Sequence, residues 1–106
     1  MAYASVLVAL ADPTRREIVH RLKNGPQTVT ELVTSLPISQ PAVSQHLRVL
    51  REAGVVKATP DGRRRVYALE LRGLEPLRAY LESFWDDVLD AYQRSWTTTE
   101  QEKRKK

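Results

Sequence analysis

Apolar side chains recur at helical spacing through most of the chain, and the stretch from Ser39 to Gly54 shows this pattern most completely. Val43, Leu47 and Leu50 fall on one side of this stretch when it is drawn as an α-helix. Ser39 is a good N-cap residue, and Gly54 stands where a left-handed C-terminal cap would fall. The sequence therefore predicts a helix between these two residues, with one face buried.

The opposite face of this predicted helix is polar and only partly charged. It carries hydrogen-bonding side chains at Gln40, Ser44, Gln45, Arg48 and Arg51. A face that is merely solvated more often contains Glu and Lys, whereas Gln, Ser and Arg contact base edges and phosphates in a DNA major groove. We interpret this stretch as a DNA recognition helix.

Two short helices are predicted near the start of the chain. Residues 3–10 form the first, and its apolar side consists of Tyr3, Val6, Leu7 and Leu10. The second begins with Asp12 as N-cap and Pro13 at the first helical position, where its missing N–H has no cost. Its buried stripe is Ile18, Val19 and Leu22. The basic side chains off this stripe are expected to be solvated: Arg15, Arg16, Arg21 and Lys23.

A third helix is predicted to begin at Thr28, because Thr28 and Glu31 have the spacing of a capping box. Pro37 stops it, since the residue before a proline is pushed out of the helical region. Only a tight turn then separates it from the predicted recognition helix. Two short helices joined in this way make a helix-turn-helix.

After Gly54 the hydrophobic period changes from helical to alternating. Residues 55–59 and 65–69 are prone to form strands, and the Asp-Gly pair between them is a good hairpin signal. Three arginines stand at the turn and at the start of the second strand: Arg63, Arg64 and Arg65. A basic hairpin after a recognition helix indicates a wing that reaches the phosphate backbone or a minor groove.

The last predicted element is a long amphipathic helix from Leu74 to about Ser95. Its apolar arc is wider than packing on one core requires. One interpretation buries this helix within its own domain. We favour a homodimer interface with the first helix alongside, because so small a domain has little surface to cover the arc. The predicted interface, anchored by its aromatic members, comprises Tyr3, Val6, Leu7, Leu10, Leu77, Leu81, Phe84, Trp85, Val88 and Tyr92.

Length and composition fit one small folded domain. The chain has 106 residues, of which 1–96 are predicted to form the domain and 97–106 a basic, disordered tail. Its net charge of +4 suits a polyanionic partner. The absence of cysteine excludes disulfides and thiolate metal sites. Since the N-terminal apolar run is too short to span a bilayer, we expect a cytoplasmic protein with no membrane partner.

Few residues are candidates for catalysis or metal binding. His20 and His46 come from different helices, and neither has a further ligand at metal-site spacing. The carboxylates of Glu82, Asp86 and Asp90 share one helix face, where a solvated acidic surface is more common than a hard-ion site. The sequence contains no nucleophile–base arrangement and no Gly-rich phosphate loop. We therefore expect neither an enzyme nor a cofactor.

Four segments resemble, in order and spacing, the ArsR (arsenic-repressor type) family of bacterial winged-helix transcriptional repressors. They are LADPTRREIVHRL, TVTEL, SQPAVSQHLRVLREAGVV and DGRRRVYAL, and the resemblance covers roughly residues 4–92. It implies a mainly α winged helix-turn-helix with about five helices that dimerises through its first and last helices. It also implies binding to pseudo-palindromic double-stranded operators and repression, often of the protein's own promoter, until an effector releases it.

The resemblance assigns roles to individual residues as well. The family's base- and phosphate-contacting positions fall on Ser39, Gln40, Ala42, Ser44, Gln45 and Arg48. His46 occupies the family's SxHL-type histidine position, where a phosphate contact and a partly buried structural position are both open. Thr28 and the three wing arginines match backbone contacts.

Departures from the family pattern concern its sensor sites. Residues 30–34 contain none of the metal-binding cysteines of many members, the last helix has carboxylates but no histidine, and the cysteine pair of persulfide sensors is missing. The chain thus resembles the metal-independent branch, with an inducing signal that its residues do not identify.

Two other functions stay open from the sequence. One is a winged-helix module that binds only proteins, although such modules usually lose the polar helix face and the basic wing. The other is a regulator that responds to an unknown organic effector at the aromatic-rich interface. Salt-sensitive binding to duplex DNA separates the first of these from a regulator.

Overall fold

The computed structural model describes residues 2–104, and it describes side chains as far as residue 96. Its elements follow in the order α1 (Ala2–Leu10), α2 (Pro13–Leu22), β1 (Gln27–Thr28), α3 (Val29–Ser35), α4 (Gln40–Glu52), β2 (Val56–Asp61), β3 (Arg64–Leu69) and α5 (Leu71–Arg104). The helix pair α3–α4 and the β2–β3 hairpin form the winged helix-turn-helix that the sequence predicts. Within the described residues, no helix is long and apolar enough to cross a membrane.

Side-chain caps fix where the helices begin. The Oδ1 atom of Asp12 accepts hydrogen bonds from two backbone N–H groups of α2, at 2.7 and 3.1 Å. Thr28 and Glu31 form the complete capping box at the start of α3. The Oγ of Ser39 accepts from a backbone N–H in the first turn of α4 at 3.3 Å. All three predicted caps are confirmed.

The core lies where the first four helices meet the base of the hairpin. Its fully buried side chains are Val6, Ile18, Leu32, Val43, Leu47, Leu50 and Val55. The apolar face of α4 contributes three of them, as its spacing predicts. Because these three side chains are held from inside, the opposite face of α4 points outward.

The sheet contains a strand that the sequence pattern did not reveal. Its order is β1-β3-β2, and all pairings are antiparallel. In β1, Gln27 pairs with Tyr67 and Thr28 pairs with Val66. A segment of two residues has no detectable period. Its pairing matters, because β1 leads directly into α3 and so ties the wing to the helix-turn-helix.

The hairpin loop is shorter than the sequence pattern predicts, because β2 extends to Asp61 and β3 begins at Arg64. Asp61 pairs with Arg64 in the ladder, so Gly62 and Arg63 form the loop. Gly62 has a φ of 62°, which is the conformation expected of glycine at the first central position of a type II′ turn. The Asp-Gly signal therefore located the hairpin, while its centre is Gly-Arg.

Helix α5 is longer than the sequence predicts, at 34 residues. It makes the domain elongated, with dimensions of 74 × 26 × 21 Å. The backbone of residues 97–104 is helical, where the sequence predicts a disordered tail. Residues 97–104 contain no Pro or Gly, so an existing helix can propagate through them. Residues 105 and 106 lie outside the described residues, and a domain boundary at residue 96 stays a prediction.

Candidate nucleic-acid interface

The polar face of α4 is open to solvent. Its exposed side chains are Gln40, Ser44, Gln45, Arg48 and Arg51, whereas Ala42 is half-buried. The Nε of Arg48 donates to Oε1 of Glu52 at 3.1 Å. Both side chains of this pair are more than half exposed, at 65% and 63%. Exposed pairs of this kind contribute little free energy, so Arg48 is easily released to another acceptor.

A cleft of about 320 Å³ lies between this face and the wing. Its lining is Thr28, Val29, Thr30, Gln40, Ser44, Arg63, Arg64, Arg65 and Tyr67. The fold thus brings two elements that the sequence predicts separately, the recognition face and the wing arginines, onto one concave surface. Guanidinium groups beside neutral hydrogen-bonding side chains suit a phosphate backbone.

All three wing arginines are exposed. The Nη2 of Arg64 lies 3.4 Å from Oδ2 of Asp61, in an ion pair across the end of the hairpin. Arg63 occupies the turn itself, and Arg65 follows in β3. The three arginines thus lie at the wing, where the sequence places them, and their contact with DNA stays a prediction.

Thr28 lines the cleft but is only 6% exposed. Its hydroxyl donates to Oε1 of Glu31 at 3.0 Å and accepts from the backbone N–H of Glu31 at 3.2 Å. These bonds engage Thr28 in capping α3. Thr30, which is exposed and lines the same cleft, is the side chain of this turn that the sequence reasoning missed.

The expectation that Arg15 is solvated is wrong, since its side chain is only 17% exposed. Its Nε donates to the carbonyl oxygen of Ala9 at 2.5 Å, and its Nη2 donates to that of Val8 at 3.3 Å. Arg16 donates to two further carbonyls at the end of α1, at 2.9 and 3.0 Å. The last carbonyls of a helix lack intrahelical partners, so both arginines cap α1.

Arg15 also contacts the recognition helix. Its Nη1 lies 3.5 Å from Nδ1 of His46, which is half-buried, and 3.9 Å from Oδ2 of Asp12. The backbone N–H of Arg15, helped by that of Thr14 and by the guanidinium charge of Arg15, holds the pKa of Asp12 below its ordinary value. The other histidine, His20, is exposed on α2.

Six of the ten residues of the predicted dimer interface are exposed, three are half-buried, and Val6 is buried. Val6 is 1% exposed and belongs to the core of its own chain, so its side chain cannot reach a second copy. The apolar stripe of α1 indicates that this side of the helix is buried. It does not show whether the side is buried within the same chain or against a second copy. Leu10 and Leu77 are partly buried and pack against the same core. The ring of Tyr3 stacks on Tyr80, with centroids 4.0 Å apart, and holds α1 beside α5.

From Leu81 to Trp96 the large apolar side chains of α5 are exposed: Leu81, Phe84, Trp85, Val88, Leu89, Tyr92 and Trp96. Trp96 was missed because the predicted helix ends at about Ser95. On the polar side of α5, Arg78 bridges Glu75 and Glu82, and its hydrogen bond lowers the pKa of Glu75. Among the described residues, no group of three or more His, Asp or Glu side chains is placed to hold a metal ion.

Comparison with known proteins agrees with this geometry. The family model described as "Bacterial regulatory protein, arsR family" matches residues 12–58. Over 84 residues the chain is 55% identical to the HTH-type transcriptional regulator Rv2034 of Mycobacterium tuberculosis, covering 79% of this chain and 78% of that protein. It is 48% identical over 66 residues to the regulator NmtR of the same organism, covering 62% of this chain but only 55% of NmtR.

Two solved structures extend the likeness to the whole fold. A crystal structure described as a possible transcriptional regulator for arsenical resistance has a TM-score of 0.71 and 49% identity, covering 84% of this chain and 93% of that one. An ArsR-like transcriptional regulator from Rhodococcus sp. RHA1 has a TM-score of 0.74 and 34% identity, covering 88% and 91%. The similarity thus includes most of the chain.

Proposed function

Given that this chain belongs to the arsR family of bacterial regulatory proteins, which bind double-stranded DNA and regulate transcription, we propose that it works as a homodimeric repressor. Its proposed target is a pseudo-palindromic operator at its own or a neighbouring promoter, in the cytoplasm. The cleft that joins the exposed face of α4 to the wing arginines carries this proposal. A regulator is favoured over a module that binds only proteins, because both the polar face and the basic wing are exposed.

Contacts to DNA divide by side-chain chemistry. We assign base reading to Gln40, Ser44 and Gln45, whose neutral donors and acceptors match base edges in the major groove. Ser39 and Ala42 fall at the start of the same helix, the end that would approach the base edges in this arrangement. Arg48 and the arginines of the wing would fix the register on phosphates. In a dimer the two α4 helices would enter successive major grooves, about one helical turn apart.

Homodimerisation is supported by the unpartnered apolar side of α5. A domain of this size rarely leaves so many large apolar side chains in water, and aromatic residues such as Phe84 and Trp85 are typical anchors of interfaces. We place the second copy against α5 and the adjoining side of α1. We also propose that no thiol or metal sensor is present, because the chain has no cysteine and its last helix has no histidine.

The proposed function is tested by fluorescence anisotropy of the purified protein in a salt series. The probes are a duplex from upstream of its own gene and a scrambled duplex of equal composition. We expect the upstream duplex to remain bound near physiological salt while the scramble is lost. Equal and steeply salt-dependent binding to both duplexes would contradict an operator at its own promoter.

Two variants separate base reading from phosphate contact in the same assay. Gln45→Ala should reduce the preference for the upstream duplex, by about 1–3 kcal/mol if it removes a bidentate contact. Arg63→Ala should weaken both duplexes alike and lower the slope of log K against log salt by about 1. Lys23→Ala is the matched control, since it removes one exposed charge outside the cleft.

A further inference from the structure

We propose that Arg15 is a positioning residue for DNA binding, which holds His46 in the tautomer that carries its proton on Nε2 and so presents that N–H to a DNA phosphate. The proposal rests on the proposed function and deepens it. It adds a residue of α2, outside the helix-turn-helix, to the set on which operator affinity depends. It also combines the two interpretations of His46, which are a phosphate contact and a partly buried structural position.

The tautomer follows from the chemistry of the two groups. A guanidinium carries only N–H donors and does not lose its proton in proteins. Its Nη1 lies 3.5 Å from Nδ1 of His46, so a favourable contact requires a lone pair on Nδ1. A neutral imidazole with a lone pair on Nδ1 has its proton on Nε2. A proton on Nδ1 would instead point at a fixed cation.

Arg15 is held rigidly enough to impose this choice. Its Nε and Nη2 donate to the carbonyls of Ala9 and Val8, and its Nη1 also faces the carboxylate of Asp12. Three separate acceptors therefore fix the plane of a side chain that is mostly buried. Since His46 lies in the middle of α4, the Arg15 guanidinium contacts both the end of α1 and the recognition helix.

The second ring nitrogen of His46 is open to solvent. Among the described residues, no buried side-chain nitrogen or oxygen lacks a hydrogen-bond partner. The hydrogen bonds of His46 in the structure use Nδ1 and not Nε2, so water must reach Nε2. In the proposed complex a neutral N–H at the edge of the recognition helix suits a phosphate oxygen, because phosphate contacts come from neutral as well as charged donors.

The first test uses the free protein and does not depend on DNA. Long-range ¹H–¹⁵N NMR correlations of ¹⁵N-histidine-labelled protein, recorded above the pH at which histidine titrates, distinguish the two tautomers. We expect His46 to show a single tautomer with the proton on Nε2, while exposed His20 shows the mixture of a free imidazole. A proton on Nδ1 of His46 would overturn the proposal.

The second test measures operator affinity by anisotropy in a set of variants. The side-chain NH₂ of His46→Gln reaches the position of Nε2, whereas that of His46→Asn reaches the position of Nδ1. We expect Gln to retain affinity within about twofold, and Asn and His46→Ala to lose roughly three- to tenfold. Equal losses for Gln and Asn would contradict a donor at Nε2.

A double-mutant cycle separates positioning from a merely structural role of Arg15. Arg15→Ala alone should weaken operator binding by roughly three- to tenfold, as His46→Ala does. In a protein that already carries His46→Ala, the same substitution should change the affinity by less than about twofold. Arg15→Lys keeps the positive charge but lacks the planar set of guanidinium N–H donors. It replaces Arg15→Ala in the cycle if circular dichroism shows that Arg15→Ala is unfolded. The same loss in both backgrounds would overturn the proposal. If the wild type prefers no duplex, the proposed function fails, while the NMR result still decides the tautomer.

Discussion

Gly54 and Gly73 lie backbone against backbone, and a Cβ placed on Gly73 would overlap the carbonyl oxygen of Gly54. Gly54 follows the C-cap of the recognition helix with a φ of 81°, in the left-handed region that favours glycine. Gly73 lies in the first turn of α5. Two residues without side chains therefore set how closely the proposed recognition helix approaches the helix that we propose joins the two copies.

Replacing Gly73 with alanine should destabilise the protein. At an unhindered helix position, alanine raises the free energy of unfolding by about 1 kcal/mol relative to glycine. At position 73 the new Cβ would overlap the backbone of Gly54, so we expect the free energy of unfolding to fall by about 3 kcal/mol instead. Urea denaturation at fixed protein concentration measures the change. Ala79→Gly, at an exposed site of the same helix, is the control and should cost about 1 kcal/mol. A Gly73→Ala variant as stable as the wild type would contradict the close approach.

Neutralising Glu52 should tighten DNA binding. In Glu52→Gln the Arg48 guanidinium loses its carboxylate partner at 3.1 Å and is free to contact a phosphate. We expect affinity to rise about two- to threefold, because exposed pairs of this kind are weak. Part of the gain would come from removing a negative charge near DNA, so the same substitution beside Arg48→Ala is the control. If the gain is equally large there, Arg48 is not the residue released.

Truncating Trp85 should convert dimers to monomers. Its indole is 59% exposed in the single chain, at the centre of the exposed apolar side of α5. Truncating a central aromatic anchor typically costs an interface at least 2 kcal/mol, roughly a thirtyfold weaker association. Sedimentation over a concentration series measures this for Trp85→Ala. Asp87→Ala, on the polar side of α5, should leave the dimer intact, and a Trp85→Ala protein that stays dimeric would exclude this face as the interface.

Acid should remove the contribution of the Asp12 cap. Its backbone hydrogen bonds from Arg15 and Thr14 lower the pKa of Asp12 in the folded state. Because this pKa is lower in the folded than in the unfolded state, the ionised carboxylate stabilises the fold at pH values above its unfolded pKa of about 3.9. This stabilisation is lost as the pH falls through the folded pKa. The stability difference between wild type and Asp12→Asn should therefore shrink from pH 7 towards pH 3. A difference that stays constant over this range would contradict the shift.

Features that depend on neighbours along the chain could be predicted from the sequence. The caps at Asp12, Thr28 and Ser39 each involve residues within one turn, and the apolar face of α4 has a clear period. The hairpin is likewise predicted by the adjacent residues Asp61 and Gly62. These local signals were enough to predict the winged helix-turn-helix, which the structure and the family comparison confirm.

Features that depend on distant neighbours could not be predicted in this way. The pairing of Gln27 with Tyr67 joins segments far apart in sequence, and neither residue carries a signal for it. Arg15 appears as a surface charge because its acceptors lie at the end of another helix. Val6 shares its stripe with the proposed interface residues, and only the packed fold shows that it is internal. The contacts with DNA stay predictions, although the fold brings most of the predicted residues onto one cleft.

The short strand β1 has a further consequence for how far the wing reaches. Because β1 pairs with β3 at Val66 and Tyr67, the part of the hairpin beyond this pairing forms an arm of set length measured from the helix-turn-helix. One added residue in each strand would lengthen that arm by about 3.4 Å and turn its side chains to the opposite face, while two would keep the face. If the wing contacts DNA as we propose, the position of Arg63 along the duplex is thus set in discrete steps. A change in hairpin length alone would then alter the span of the binding site, without altering the residues that we propose read bases.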